Sequence, residues 1–335
     1  MDAKPKVIRT KEELKISSLK KGAIHRFHVQ LSDNSMGIPW RVPLIVIRGL
    51  QKGPVFGMTA ALHGDELNGI FTIFKVMEQI DPLQLKGTLI LLPITNVPAY
   101  LMNQRFFTDN VDLNRIIPGR QEGSASEMYT YYLVKKIIKK MDYLFDLHTA
   151  SRGRVNSLYI RADLNNGIVR NLAYLQNPEI IVNKAEEEGT LRCWACNNGI
   201  PSITIEIGNP NQYQMDMIDD VLPGILNTFR YLNMIEGEVQ NMISDAIICR
   251  DSYWIYSRKG GLVEVPPKLA DRVKKGDLLA IVYDVFGSII ETIVADQDGI
   301  IIGKNMSPNC ESGSRIIHLG VDMFSPEKKS IPANH

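Results

Sequence analysis

The stretch "TAALHGDELNG", Thr59 to Gly69, ends an apolar run with an imidazole, two carboxylates and two glycines. Gly and Asp suit a turn, but a turn has no need of His63 three residues before Glu66. Two further runs end in the same manner: "YLFDLHTA" carries Asp146 and His148, and "IPSITIEIGNP" carries Glu206. Open α/β sheets place their sites just beyond the carboxyl ends of buried strands. A catalytic zinc takes three protein ligands and keeps one position open, and two His with one Glu form such a set. His63 and Glu66 are close enough to chelate from one loop, with His148 arriving from a distant strand. Glu206 is expected opposite the open position, deprotonating the water and then passing the proton to the leaving group. Asp146 is expected to support this centre only weakly, through some bend in its strand. The donor set also admits cobalt or manganese, with lower affinity than zinc.

A second chemistry lies in "MNQRFFTDNVDLNRIIPG", a loop-like segment with Arg105, Asn114 and Arg115. Arginine presents a planar donor fork matched to a carboxylate, so Asn114 with Arg115 could hold an anionic substrate group. An arginine near the metal could also stabilise a tetrahedral oxyanion. Taken alone, "DLNR" reads as a surface turn. His25, His28 and His318 read as hydrogen-bonded structural groups, and the Cys193/Cys196 pair as packing, because no second pair completes a zinc site.

These residues need elements to hold them. "HRFHVQL" alternates, and "VPLIVIRG", "GPVFGMTAAL", "GTLILLPIT", "YLFDLHT" and "IPSITIEIGNP" read as buried strands. "DELNGIFTIFKVMEQI" carries apolar residues at helical spacing, and "SASEMYTYYLVKKIIKKM" reads as a helix capped by Ser124 or Ser126. "MIDDVLPGILNTFRYLNMI" is a third helix, which Pro223 is expected to kink or divide. The segment between His148 and the Glu206 run looks irregular. Alternating strands and helices over residues 40 to 236 predict an α/β domain with a parallel or mixed sheet. Near residue 240 the texture changes to short β runs punctuated by Gly, which predicts a small all-β barrel or sandwich. The expected domains are residues 1–240 and 241–335.

The 335 residues are 44% hydrophobic and 22% charged, with a formal net charge of +1. That composition suits a soluble globular protein and gives no basic field for nucleic acid. No secretory signal is expected from "MDAKPKVIRTKEELKISSLKKG", which lacks an apolar core, and no apolar run reaches membrane-spanning length. Four scattered cysteines suggest no disulfide framework, so a reducing cytoplasm is expected.

The order "HGDE", "DLNRIIPG", "DLHT", "TIEIG" resembles the succinylglutamate desuccinylase and aspartoacylase family, over about residues 40 to 236. The resemblance implies an amidohydrolase with one zinc ion per chain on a zinc-carboxypeptidase-like α/β fold, removing the acyl group from a small N-acyl amino acid. By the same resemblance His63, Glu66 and His148 match the zinc ligands and Glu206 the general base and acid. Asn114 and Arg115 match the pair binding the substrate carboxylate, and Arg105 the arginine assisting the carbonyl oxygen. "DLHTASRGRVN" and "GTLRCWACNNGIP" resemble a bacterial and archaeal branch near the deacetylases of N-acetyl-diaminobutyrate, so N-acetylaspartate is not the expected substrate. Arg152, Arg154 and Arg192 either contact the far end of the substrate or are solvated or structural.

The C-terminal region resembles a lipoyl or biotinyl carrier domain. No Lys occurs between Lys275 and Lys304, so the amine for covalent attachment is missing. A lid, a substrate-shaping wall and a homo-oligomer contact are the remaining roles. The functions weighed against deacylation are a peptide-trimming zinc carboxypeptidase and a non-catalytic zinc-containing binding protein.

Overall fold

The computed structural model describes residues 5–9, 12–184, 188–240 and 246–325. In chain order the first elements are β1 (Lys6–Ile8), β2 (Ala23–Asp33), β3 (Pro39–Arg48), β4 (Gln51–Thr59), α1 (Asn68–Glu78), β5 (Lys86–Leu92), α2 (Val97–Leu101) and α3 (Ala125–Lys136). Then come β6 (Tyr143–His148), β7 (Arg154–Asn156), β8 (Leu158–Ala162), α4 (Gly167–Leu175), β9 (Ile180–Asn183), α5 (Leu191–Asn197), β10 (Ser202–Ile207) and α6 (Met215–Tyr231). The last elements are all strands: β11 (Ile247–Tyr256), β12 (Gly261–Glu264), β13 (Arg272–Val273), β14 (Leu278–Tyr283), β15 (Ile289–Val294), β16 (Gly299–Asn305), β17 (Asn309–Cys310) and β18 (Arg315–Phe324).

The main sheet is mixed, in the order β1-β2-β3-β5-β4-β6-β10-β8-β9-β11-β18-β16-β13. At its centre β5, β4, β6 and β10 run parallel, so their carboxyl ends share one edge. Helices α1, α4 and α6 cover one face, through residues such as Ile73, Leu172 and Phe229. Helices α3 and α5 cover the other, where Tyr129, Leu133 and Leu191 pack. Phe56 of β4 makes edge-on contacts with Phe145 of β6 at 4.8 Å and with Phe229 of α6 at 5.0 Å. Each such pair adds about 1 kcal/mol beyond its buried area and fixes β4 and β6 side by side.

Of the last eight strands, β11, β18, β16 and β13 continue the main sheet. β11 pairs in parallel with β9, Ile247 opposite Ile180, and β16 pairs with β7, Lys304 opposite Val155. A cluster of Tyr159, Ile180, Val182, Cys249, Ile300 and Ile302 packs across residue 240, the expected boundary. A second sheet, β15-β14-β12-β17, closes over a small core that includes Leu279, Ile317 and Leu319.

Several local expectations need correction. The stretch after His148 is regular, holding β7, β8, α4, β9 and α5. Its strands are three to five residues long, too short for periodicity to register. Helix α6 runs through Pro223 undivided. Pro223 lies on the exposed face while Ile218, Val221, Ile225 and Phe229 are buried, so water can satisfy the carbonyl that loses its donor. Ser124 is the cap of α3, in a reciprocal arrangement with Glu127.

Candidate metal centre and pocket

The turn after β4 explains why an apolar strand stops at "HGDE". Ala61, fully buried, takes a positive φ of 48° that turns the chain out of the sheet. Non-Gly residues hold that conformation only where the surroundings enforce it. Here the carbonyls of Ala60, Ala61 and Leu62 accept bonds from Thr95 N, Asn96 N and Asn96 Nδ2. Gly64 is required by space: a Cβ there would lie 2.0 Å from the carbonyl carbon of Ala99. At Gly69 a Cβ would lie 2.7 Å from the Cβ of Leu147, so its absence lets the start of α1 settle against β6.

This turn places His63 and Glu66 beside His148 at the end of β6. Their candidate donor atoms all lie within 4.8 Å of one another, and all three residues are buried, so the group could hold a metal ion. His63 Nδ1 is 2.8 Å from Glu66 Oε1, and His148 Nδ1 is 2.8 Å from Glu66 Oε2. The far nitrogen of each imidazole meets another carboxylate: His63 Nε2 lies 3.0 Å from Asp112 Oδ1, and His148 Nε2 lies 2.7 Å from Asp146 Oδ2. Thr59 Oγ1 in turn donates to Asp146 Oδ1 at 2.7 Å. Carboxylate support behind each imidazole is the arrangement that orients histidine ligands of metals.

Asp146 therefore has a direct role where only weak support was expected. Residues two apart in a strand share a face, so the strand needs no bend to bring its carboxylate to His148. Asp112 was not anticipated at all. Its Oδ1 also accepts from Asn114 N, and the Arg105 guanidinium grips its Oδ2 through Nε and Nη2 at 3.1 and 2.8 Å. One carboxylate thus ties the "DLNR" turn to His63.

The protonation states follow from this packing. Burial alone would push the His148 imidazole down, but Asp146 and Glu66 outweigh it and hold its pKa well above the histidine range. Burial opposes ionisation of Glu66 and Asp112 too, yet the neighbouring His63, together with His148 for Glu66 and Arg105 for Asp112, depresses both carboxyl pKa values. Asp65 is raised, first by burial and then by the Glu66 charge. A divalent cation would supply the positive charge that a proton on the His148 imidazole otherwise provides.

Glu206 sits directly across the ladder from His148, its Cα partner in the parallel pair β10–β6. Its Oε2 accepts from Asn156 Nδ2 at 3.2 Å, and its Oε1 is 3.3 Å from Arg161 Nε. Arg105 donates through Nη1 to Ser151 Oγ at 2.7 Å and to Glu66 Oε1 at 3.2 Å. Asn114 Oδ1 accepts from Leu191 N at 2.7 Å, and Arg115 Nη1 donates to Asn114 O at 2.8 Å. The metal group, Glu206, Arg105, Asn114 and Arg115 all line one pocket. Arg154 and Arg192 line it as well, whereas Arg152 instead lies over the Phe106 ring at 4.2 Å. Sequence reasoning missed the pocket residues Arg161, Lys184, Trp254 and Arg315. His25 bonds the Lys20 carbonyl, and Cys193 and Cys196 lie on α5, with Cys196 Sγ donating to Ser202 O.

An open α/β sheet with donor side chains at the carboxyl ends of its parallel strands, facing a pocket lined by arginines, places a ligand site at the strand ends. Among the described residues no helix is long and apolar enough to cross a membrane. The catalytic-domain pattern described as Succinylglutamate desuccinylase/Aspartoacylase matches residues 52–232, more than half of the chain. The chain belongs to that family of deacylases, hydrolases of amide bonds. It is 24% identical over 290 residues to the N-alpha-acetyl-L-2,4-diaminobutyric acid deacetylase of Halomonas elongata, covering 82% of this chain and 84% of that one. The product-bound structure of the ectoine utilization protein EutE from Ruegeria pomeroyi superposes with a TM-score of 0.82 at 23% identity, covering 90% of this chain and 97% of that one. A succinylglutamate desuccinylase structure from Silicibacter sp. TM1040 gives 0.79 at 22% identity, covering 90% and 95%. These likenesses establish the fold.

Proposed function

We propose that the protein is a zinc-dependent deacylase that hydrolyses the amide bond of an N-acyl amino acid. The observation that carries this reading is the convergence of His63, Glu66 and His148, with Glu206 beside them, in a pocket lined by arginines. Two nitrogen donors and one carboxylate, each imidazole backed by an acid, suit one zinc ion per chain. When bound, such an ion lowers the pKa of water and polarises a carbonyl. Glu206 takes the proton from the attacking water and returns it to the departing amine. Arg105, held by Asp112 and Ser151, faces the pocket where charge develops on the carbonyl oxygen. Asn114 and Arg115 hold the carboxylate of the amino acid, an assignment supported by their adjacency on one short turn at the pocket wall.

The four cysteines form no disulfide among the described residues, which supports a reducing, cytoplasmic setting. The strands from β11 onward, which we read as related to lipoyl-type β domains, act as a wall of the pocket through Trp254 and Arg315. The test is Glu206→Gln in the zinc-loaded protein, assayed on a panel of N-acetyl and N-succinyl amino acids alongside peptides. Turnover should fall by at least about 100-fold, the usual contribution of a general base, with one zinc still bound per chain. Full activity of that variant would refute the assignment, and preference for peptides would make the protein a carboxypeptidase.

A further inference from the structure

The hairpin of β14 and β15 is apolar on both of its faces. An antiparallel sheet with one solvated face alternates apolar and polar residues, but "LLAIVYDVFGSIIETIV", Leu278 to Val294, does not. Leu279, Val282 and Ile293 belong to the small core beneath the second sheet. Their neighbours Leu278, Tyr283 and Val294 therefore point outward, because side chains alternate along a strand. The register extends this outer face over three strands. Leu262 of β12 lies opposite Tyr283, Tyr283 lies opposite Ile289 of β15, and Leu278 lies opposite Val294.

The hairpin tip carries the face on into solvent, with Val285 80% exposed, Phe286 90% and Ile289 60%. The tip is held in place. Asp284 Oδ1 accepts from Phe286 N and Ser288 N, both at 2.9 Å, and Gly287 takes the positive φ of 85° that closes the turn. An aromatic side chain on so fixed a turn loses little freedom when it is covered. The two carboxylates of these three strands are engaged within the chain. Glu264 Oε2 accepts from the Tyr283 hydroxyl at 3.3 Å, and the Glu291 carboxylate accepts from Arg258 N and Lys259 N. β15 is also the edge of its sheet, and it has none of the Lys or Pro residues that usually guard an edge.

Together with Leu262, Leu278, Ile290 and Val294, the three tip residues expose on the order of 800 Å² of side-chain surface. That is as much as one partner contributes to a standard interface, and more than a monomer usually leaves bare in one patch. A partner chosen by charge finds nothing to pair with on this face. Homodimer interfaces are the more apolar class, and a twofold axis lets one patch serve both partners. The net charge of +1 leaves little repulsion between two copies. We propose that two copies of the chain meet here, packing the outer faces of β12, β14 and β15 against each other about a twofold axis, with Phe286 as the principal anchor. This interface is independent of the deacylase reading above.

Sedimentation velocity of the full chain, from about 1 to 100 μM, should show a species of twice 37.7 kDa. Phe286→Asp and Ile289→Lys should each weaken dimerisation by at least about 30-fold, with an unchanged circular dichroism spectrum because both side chains are exposed. Met36→Asp, at another exposed apolar position, in the turn between β2 and β3, should leave the dimer intact. Hydrogen exchange on the unaltered chain gives a readout free of substitutions: exchange over residues 278–294 should slow as concentration rises through the dissociation constant. A chain that stays monomeric over that range, a dimer that both substitutions leave intact, or protection gained only outside β12, β14 and β15 would overturn the interface.

Discussion

His148 and His318 are both buried imidazoles on strands of one sheet; His148 lines the pocket, and His318 stacks on Trp254, which lines it. His148 has a carboxylate at each ring nitrogen, Asp146 and Glu66, and its pKa is held high. His318 has a serine hydroxyl at one nitrogen and, among the described residues, no partner at the other; burial and then the surrounding cations push its pKa down. Burial penalises charge on both, and the sign of the neighbours decides the outcome. The first arrangement prepares an imidazole for a cation, and the second keeps an imidazole neutral as a stacking support. A histidine on an apolar strand acquires either role only from what packs against it.

The comparison can be broken most severely at His148. His148→Ala removes one of three donors and is expected to abolish stoichiometric zinc uptake and hydrolysis together, read by metal analysis and activity on one preparation. Retained zinc and activity would place the centre elsewhere. Asp146→Asn keeps the shape but replaces the acid behind His148. Zinc affinity should fall by about 10–100-fold, measured by competition with a chelator, while circular dichroism stays unchanged. Unchanged affinity would make Asp146 a purely structural group held by Thr59.

The smallest effect belongs to His318. Its folded pKa is depressed, so the unfolded chain binds the extra proton below the unperturbed value of about 6.5, and stability falls as pH drops through that point. In the metal-free protein the loss should approach about 1.4 kcal/mol per pH unit, or roughly 2 °C in Tm. His318→Phe, which preserves stacking on Trp254, should remove that slope between about pH 5 and 6.5. Parallel melting profiles for the variant and the wild type would show that His318 does not titrate there.

Much of the site was legible because its parts are short and local. His63 and Glu66 share a turn, Glu206 closes a β-branched run, and a strand brings Asp146 and His148 to one face by simple alternation. Asp112 carried no comparable signal, because an acid beside "LNR" looks like any turn cap until His63 is placed 3.0 Å away. The strands after His148 were equally opaque, being three to five residues long and bounded by ordinary polar residues.

Sequence alone settled the chemistry available at the carboxyl ends of the central strands, since residue type and period-2 alternation are properties of the chain itself. Which distant groups share the pocket was decided by the tertiary structure. Pairing β9 with β11 and β7 with β16 carries Trp254, Arg315 and Arg154 to the wall beside Glu206. Such ladders join residues far apart in the chain, and no local pattern encodes the partner that a strand edge will select.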